Sequence, residues 1–338
     1  MRATMINGTR DVTVEELPRP QIEAPTDALL KVVAACVCGS DLWHYRGVIP
    51  TQHSHQMGHE YVGIIEELGS EVTGLEVGQF VVGSFITSDN TCEICQAGYQ
   101  SKCVNAHGVG TAQAEYVRIT NAAGTLVPTP EHPDEDLIPS LLAASDVLGT
   151  GWFGAVEAQA GPGKTIAVVG DGAVGLLAIL AAKQLGAERI IAFSRHADRQ
   201  ALAREFGATD IIEERGDKGV AKLKELTDGL GAHGVVEAVG TQESIEQGLR
   251  CARGGGYLTI LGVAHGVQLS GREIFGAEVH IVAGGAPVRR FLPELIQLIL
   301  DRKINPGRVF TMDVPLEEAP AAYAAMDERT TIKALLRP

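Results

Sequence analysis

The sequence has no apolar run long enough to cross a membrane. Its longest apolar-looking stretch, Thr165 to Ala182, is broken by Asp171 and three glycines, whereas a span needs about 20 nearly unbroken apolar residues. No apolar segment follows the leading arginine either, so no signal peptide is expected and the chain is read as cytoplasmic. Basic residues are few: 28 Lys and Arg stand against 42 Asp and Glu, a formal charge of −14. That balance offers little to neutralise a phosphate backbone and excludes nucleic acid as the main partner. Aromatics make up only 5 %, and there is no internal repeat or low-complexity tract. Cysteine is sparse at six residues, yet Cys92, Cys95 and Cys103 crowd into a dozen positions. In a chain of this size such crowding points to metal or redox chemistry before structural disulfides. Cys36 and Cys251 are assigned to the core.

Glycine is what the sequence has in excess, 40 of 338 residues against an ordinary ~7 %. With 45 % hydrophobic and 21 % charged residues the chain is globular, and its length suits about two domains. Residues 1–149 read as short β-type runs such as ALLKVVAACVC, YVGIIEELGS and GQFVVGSFI, a β-rich barrel or sandwich. From Thr165 the pattern alternates between strand and helix: TIAVVG, AVGLLAILAAKQLGA, RIIAF, ADRQALAREFGA, TDIIE, AKLKELTDGLG, GVVEAV, a helix from Glu243 to Ala252, GYLTILG and VHIVAG. Six strands with intervening helices predict a doubly wound parallel α/β sheet over 150–286. Residues 287–338 hold the amphipathic FLPELIQLIL and a strand-like TTIKALLRP, expected to return to the first domain. The acidic PEHPDED is read as a solvated loop.

The turn Gly170-Asp171-Gly172-Ala173-Val174-Gly175 is a G-x-G-x-x-G between a buried-looking strand and a helix. That context suits it to a dinucleotide pyrophosphate, which would meet the free N–H groups of the helix start. A bare strand-to-helix turn is the competing reading. An acid about 20 residues on would accept ribose hydroxyls, but here the second strand ends in Ser194-Arg195-His196. A hydroxyl and a guanidinium suit a 2′-phosphate, so NADP(H) is expected over NAD(H). The alternative is a solvated Arg195 and a Ser194 that caps the next helix.

Cys38, in Cys38-Gly39-Ser40-Asp41, and His59, in Gly58-His59-Glu60, lie on loops between β-type runs. A catalytic zinc needs a third protein ligand and an open position, and Asp146, stranded between LLAA and a glycine-rich turn, is the candidate. Singly, each of these residues has an ordinary core, surface or capping role.

Together, Cys38-Gly-Ser-Asp, Gly58-His59-Glu60 with Gly63, the cysteine-rich lobe, the junction around Asp146 and the inserted dinucleotide fold resemble the zinc-dependent medium-chain alcohol dehydrogenases over essentially the whole chain. The resemblance implies a GroES-like catalytic domain interrupted by a Rossmann domain. It further implies a homodimer or homotetramer and a small alcohol or carbonyl substrate. It implies catalytic-zinc ligands Cys38, His59 and Asp146, the aspartate matching bacterial secondary-alcohol dehydrogenases, with Glu60 nearby and Ser40 passing the hydroxyl proton onward. Lys333 near the C-terminus matches the position of a cofactor-contacting basic residue in such enzymes, with a solvated surface lysine as the alternative, and Thr150 at the junction is also expected at the cofactor. The family's four-cysteine lobe maps onto Asp89, Cys92, Cys95 and Cys103, with Gly98 at the turn. Asp89 then departs from the pattern as an oxygen donor, and two zinc ions per chain are expected. A lobe without metal, or a Cys92/Cys95 redox pair, competes with that reading. The family's relay histidine is replaced by Trp43, with His44, His53 and His55 nearby, and Trp152 is placed either in the cleft or in the core. A zinc-free quinone or enoyl reductase, and a non-catalytic nucleotide-binding zinc protein, are the alternatives on this fold.

Overall fold

A computed structural model describes residues 1–338 and divides them into two compact units, Met1–Gly149 with Pro287–Pro338, and Thr150–Ala286.

The first unit is built on the strand Ala28–Cys36, whose sequence ALLKVVAAC buries all but Lys31 and Val33. Such a run, apolar on both faces, belongs in a sheet centre. It pairs antiparallel with Tyr61–Leu68, Tyr116–Ile119 and Lys333–Arg337. Phe80–Gly83, Leu126–Pro128 and Phe310–Pro315 complete a seven-stranded sheet. A smaller sheet joins Asp11–Glu16, Arg2–Gly8 and His55–Gln56. Two buried clusters fill this unit, one around Leu30, Tyr61, Ile65 and Leu126, the other around Ile6, Tyr45, Tyr323 and Leu336. Each large apolar side chain so buried contributes roughly 1.5–3 kcal/mol. The C-terminal segment holds more than the expected helix and strand. The strand Phe310–Pro315 and the helix Ala319–Asp327 lie between Val288–Leu300 and Lys333–Arg337. The alanine-rich AAYAAM run carried too weak an amphipathic pattern to announce that helix.

The second unit has the six-stranded parallel sheet that the alternating pattern predicts. Its order is Asp210–Ile212, Arg189–Phe193, Thr165–Val169, Ala232–Glu237, Ala252–Ile260, His280–Ala283. In sequence terms that is 3-2-1-4-5-6, so the order reverses beside the first strand, where Rossmann sheets bind nucleotides. Its core gathers Val169, Ile191, Phe193, Leu223, Val235, Leu249 and Leu258. Gly175 is obligatory: a Cβ there would stand 2.0 Å from the carbonyl oxygen of Gly170. No helix is long and apolar enough to cross a membrane.

Candidate active site and metal centres

Cys38 follows the central strand, which ends at Cys36, and its backbone N–H donates to Asp41 Oδ2 at 2.9 Å. Asp41 opens the short helix Asp41–Tyr45, so a single carboxylate both closes this turn and faces the site. His59 sits between His55–Gln56 and Tyr61–Leu68. The glycine before it has φ +99°, and a Cβ there would stand 2.4 Å from Gln113 Cγ. Only glycine lets the chain turn against Gln113 and present His59 inward. Asp146 lies between the helices Ile138–Ala144 and Val147–Glu157 and is 8 % exposed.

Cys38, His59, Glu60 and Asp146 offer ligand atoms all within 4.8 Å of one another. His59 Nε2 is 3.4 Å from Asp146 Oδ2, and Cys38 Sγ is 3.9 Å from the same oxygen. Zinc distances of ~2.0–2.3 Å set tetrahedral ligand-to-ligand edges of about 3.4–3.8 Å, so the donors stand at the spacing a zinc ion requires. One oxygen of Glu60, Oε2, is buried without a partner. The charges point the same way. Burial opposes a charged His59, but Asp41 and the Cys38 sulfur, with hydrogen bonds to Asp146 and Asp41, push its pKa well above the usual imidazole range. Burial and the Glu60 carboxylate push the Cys38 thiol up against the pull of Lys333 and His59. Such a pocket is short of positive charge, and a divalent cation would replace the protons it holds.

Around the donors lies an ordered shell. His59 Nδ1 faces Asp41 Oδ1 at 3.4 Å, which leaves Nε2 to point at Asp146 and the metal position. Gln113 Nε2 donates to Asp41 Oδ2 at 3.1 Å and to the Cys36 carbonyl at 3.0 Å. The hydroxyl of Tyr323 donates to Gln113 Oε1 at 3.1 Å. Ser40, half-buried, has its hydroxyl 3.5 Å from His59 Nε2 and makes no cap to the helix behind it. Asp41, Gln113 and Tyr323 escaped the sequence reading. Asp41 stood in the quoted Cys-Gly-Ser-Asp motif, whereas the other two are distant in sequence and carry no local signal.

Lys333 lies beside the metal cluster. Expected at the cofactor, it is 1 % exposed, and its ammonium donates to Glu60 Oε1 at 2.6 Å and to the Val37 carbonyl at 3.1 Å. It therefore underpins the metal cluster, because a lysine buried this deeply needs a carboxylate. His44 and His55 meet edge-on with ring centroids 5.4 Å apart. Burial, then the neighbouring His55, lower the His44 pKa. Trp43 is half-buried, His53 is exposed and Trp152 is buried at 3 %.

Asp89, Cys92, Cys95 and Cys103 form the second cluster of ligand atoms within 4.8 Å of one another. Cys92 Sγ and Cys103 Sγ are 3.9 Å apart, close to the ~3.8 Å edge of a zinc thiolate tetrahedron. Gly98, at φ +91°, makes the intervening turn. Asp89 is held by the N–H groups of Thr91 at 2.8 Å and Cys92 at 3.0 Å, and by Asn105 Nδ2 at 2.9 Å. These bonds, the Thr91 N–H foremost, keep its carboxyl far below the usual range. Burial and the neighbouring sulfurs push the Cys95 thiol up to about 12. All six cysteines are free of disulfides.

In the second unit the helix Ala173–Gln184 starts directly after Gly172, so Ala173 and Val174 carry its first N–H groups. A Cβ on Gly172 would meet nothing within 4 Å, leaving the backbone open to a ligand. Ser194 does not cap the following helix but donates to Asp171 Oδ2 at 2.9 Å, while Arg195 is exposed. Thr150 lies half-buried in the helix Val147–Glu157.

A Rossmann sheet with an open glycine turn, joined in one chain to a unit holding two zinc-type donor sets, defines a metal-dependent, nucleotide-binding oxidoreductase. Family models agree, an alcohol dehydrogenase GroES-like domain over residues 24–131 and a zinc-binding dehydrogenase over 173–301. The zinc-type alcohol dehydrogenase B of Aspergillus flavus is 32 % identical across all of this chain and 81 % of its own. The alcohol dehydrogenase of Thermus sp. ATN1 is 31 % identical, with a TM-score of 0.91 over 100 % of this chain and 99 % of its own. A Sinorhizobium meliloti chain solved with NADP bound has a TM-score of 0.83 at 26 % identity, over 100 % and 99 % of the two chains. The chain belongs to the zinc-dependent medium-chain alcohol dehydrogenase family and is an oxidoreductase.

Proposed function

We propose that this chain is an NADP(H)-preferring alcohol dehydrogenase or carbonyl reductase acting on secondary alcohols and ketones or on aldehydes. Residues 1–149 and 287–338 form its catalytic domain and 150–286 its cofactor domain. The observation that carries the reading is the convergence of Cys38, His59 and Asp146 at zinc spacing. A thiolate, an imidazole and a carboxylate balance a +2 ion and leave one position open. Zinc held there would supply Lewis-acid polarisation of the substrate oxygen, and a bound nicotinamide would supply or take up the hydride. Asp41 holds His59 in the tautomer that ligates through Nε2. Ser40, its hydroxyl beside that nitrogen, stands where it receives the alcohol proton and releases it outward. Glu60, fixed by Lys333, keeps a carboxylate oxygen in reserve beside the three ligands.

Asp89, Cys92, Cys95 and Cys103 hold a second, structural zinc, making two per chain. The preference for NADP(H) rests on Arg195, exposed just past the second strand, where it can form paired bonds to a 2′-phosphate. Gly170, Gly172 and Gly175 with the helix start take the pyrophosphate, and Thr150 lies on the cofactor side. The assembly is a homodimer or homotetramer, and the absence of disulfides suits a reducing cytoplasm. The reading is tested by running a panel of alcohols, carbonyls and enones with NADPH and NADH. Hydride transfer to carbonyls and from alcohols supports it, and reduction confined to carbon–carbon double bonds overturns it. An unchanged ratio of kcat/KM for NADPH over NADH in Arg195→Asp would overturn the NADP assignment.

A further inference from the structure

The second strand of the nucleotide-binding unit, Arg189–Phe193, ends without an acid, yet a carboxylate occupies that place. It comes from the glycine turn. Asp171 Oδ2 accepts the Ser194 hydroxyl at 2.9 Å. Arg199, on the first turn of the helix Ala197–Phe206, donates Nη1 to the Asp171 backbone carbonyl at 3.0 Å and stands 3.7 Å from Oδ1. Asp171, Ser194 and Arg199 are 8 %, 2 % and 7 % exposed. Arg195, adjacent to Ser194 in sequence, is exposed.

A carboxylate at the end of the second strand of a Rossmann sheet accepts ribose hydroxyls and repels a 2′-phosphate. Here the same charge is present but engaged, by a hydroxyl on one side and a guanidinium on the other. With Arg199 in place, Asp171 is neutralised and Arg195 is the uncompensated charge near the strand end. Without Arg199 the carboxylate would dominate.

We propose that Asp171 and Arg199 set the cofactor selectivity of this enzyme: Arg199 masks the Asp171 carboxylate, which would otherwise favour a free 2′-hydroxyl over a 2′-phosphate. Asp171 is thus a specificity residue supplied by the phosphate-binding turn, and Arg199 and Ser194 are positioning residues that act through it. This rests on the reading of the second unit as the cofactor domain.

The test is fluorescence titration of the purified holoenzyme with NADPH and with NADH, for the wild type, Asp171→Asn, Arg199→Gln and the double variant, each checked by its melting curve. Asp171→Asn leaves the Arg199 guanidinium uncompensated beside the strand end, so it should raise the preference for NADPH, read as the ratio of the two dissociation constants, by about ten-fold at low salt. Arg199→Gln should lower it by a similar factor, and adding Asp171→Asn should restore it. Because Arg199 is buried, its variant can fail to fold, and Asp171→Asn, which keeps an acceptor for Ser194, then decides alone. An unchanged ratio in folded Asp171→Asn, or a shift toward NADH, overturns the proposal. A wild type that favours NADH refutes the NADP assignment but leaves the direction of these shifts as an independent result.

Discussion

The hydroxyl of Tyr323 donates to Oε1 of Gln113 at 3.1 Å, although the two are 210 positions apart in the chain. Both are fully buried, and the other end of the Gln113 amide reaches Asp41, which faces His59. The C-terminal helix thereby fixes the orientation of His59, the proposed zinc ligand, through three side chains. Tyr323→Phe removes a single oxygen and leaves a buried acceptor unpaired, a cost of about 1–3 kcal/mol. Competition with a chelator should show roughly ten-fold weaker zinc retention at the catalytic site. Retention equal to the wild type would reduce Tyr323 to a packing residue.

The Asp89 lobe should depend on its oxygen donor. Asp89→Ala is expected to lower the zinc content from two ions toward one and to reduce the melting temperature, while Asp89→Cys restores both. Structural zinc contributes folding free energy directly, so the loss should exceed that of an ordinary surface substitution. Elemental analysis alongside calorimetry measures the two effects on one sample.

Those two sites were unequally legible in the sequence. Cys38, His59 and Asp146 were legible only as a set matched to a family pattern, since singly each has an ordinary role, and the fold brings their donor atoms within 4.8 Å of one another. The six-stranded parallel sheet of the second unit followed from six apolar strand runs alternating with helices, whereas its strand order came from the structure. What stayed hidden depends on long-range packing: Gln113 looks like any polar residue near a β-run, and Tyr323 lies in a helix whose periodicity is blurred by alanine. The contact of Lys333 with Glu60 was hidden for a related reason, since sequence gives its place on a strand but not that the strand buries it against that carboxylate. The carboxylate near Ser194 was sought on the second strand, whereas Asp171 brings it from the turn.

Glu237, at the end of the strand Ala232–Glu237, gives the fold a pH dependence independent of the metal sites. Its Oε1 accepts the N–H groups of Val239 at 2.8 Å and Gly240 at 2.9 Å, while Oε2 is buried without a partner. Burial raises its pKa above the ordinary 4.5, against the opposing pull of the Gly240 N–H. The native state therefore holds this proton more tightly than the unfolded chain does. Its contribution is complete below 4.5 and is lost as pH rises through the folded value. Glu237→Gln keeps the acceptor and removes the ionisation. Its melting temperature relative to the wild type should climb by several degrees between pH 5 and 9, and parallel curves would contradict this.

Gly175→Ala should disable the nucleotide turn. The added Cβ would meet the Gly170 carbonyl at 2.0 Å, so the helix start must move away from the strand. Affinity for either cofactor should fall by about two orders of magnitude, with a stability loss of roughly 2–4 kcal/mol. Titration with NADPH and a melting curve check both, and unaltered binding would remove the turn from the cofactor site.

Cys38, His59 and Asp146 are proposed to hold the zinc at which alcohol and carbonyl are interconverted. The most direct test is to quantify zinc and turnover together in the wild type and in Asp146→Ala, with NADPH and a ketone that the wild type reduces. The expected result is two zinc ions per chain in the wild type, about one in the variant, and a loss of turnover of at least ~10²–10³-fold. Wild-type turnover in an Asp146→Ala enzyme would contradict a zinc site at these three residues.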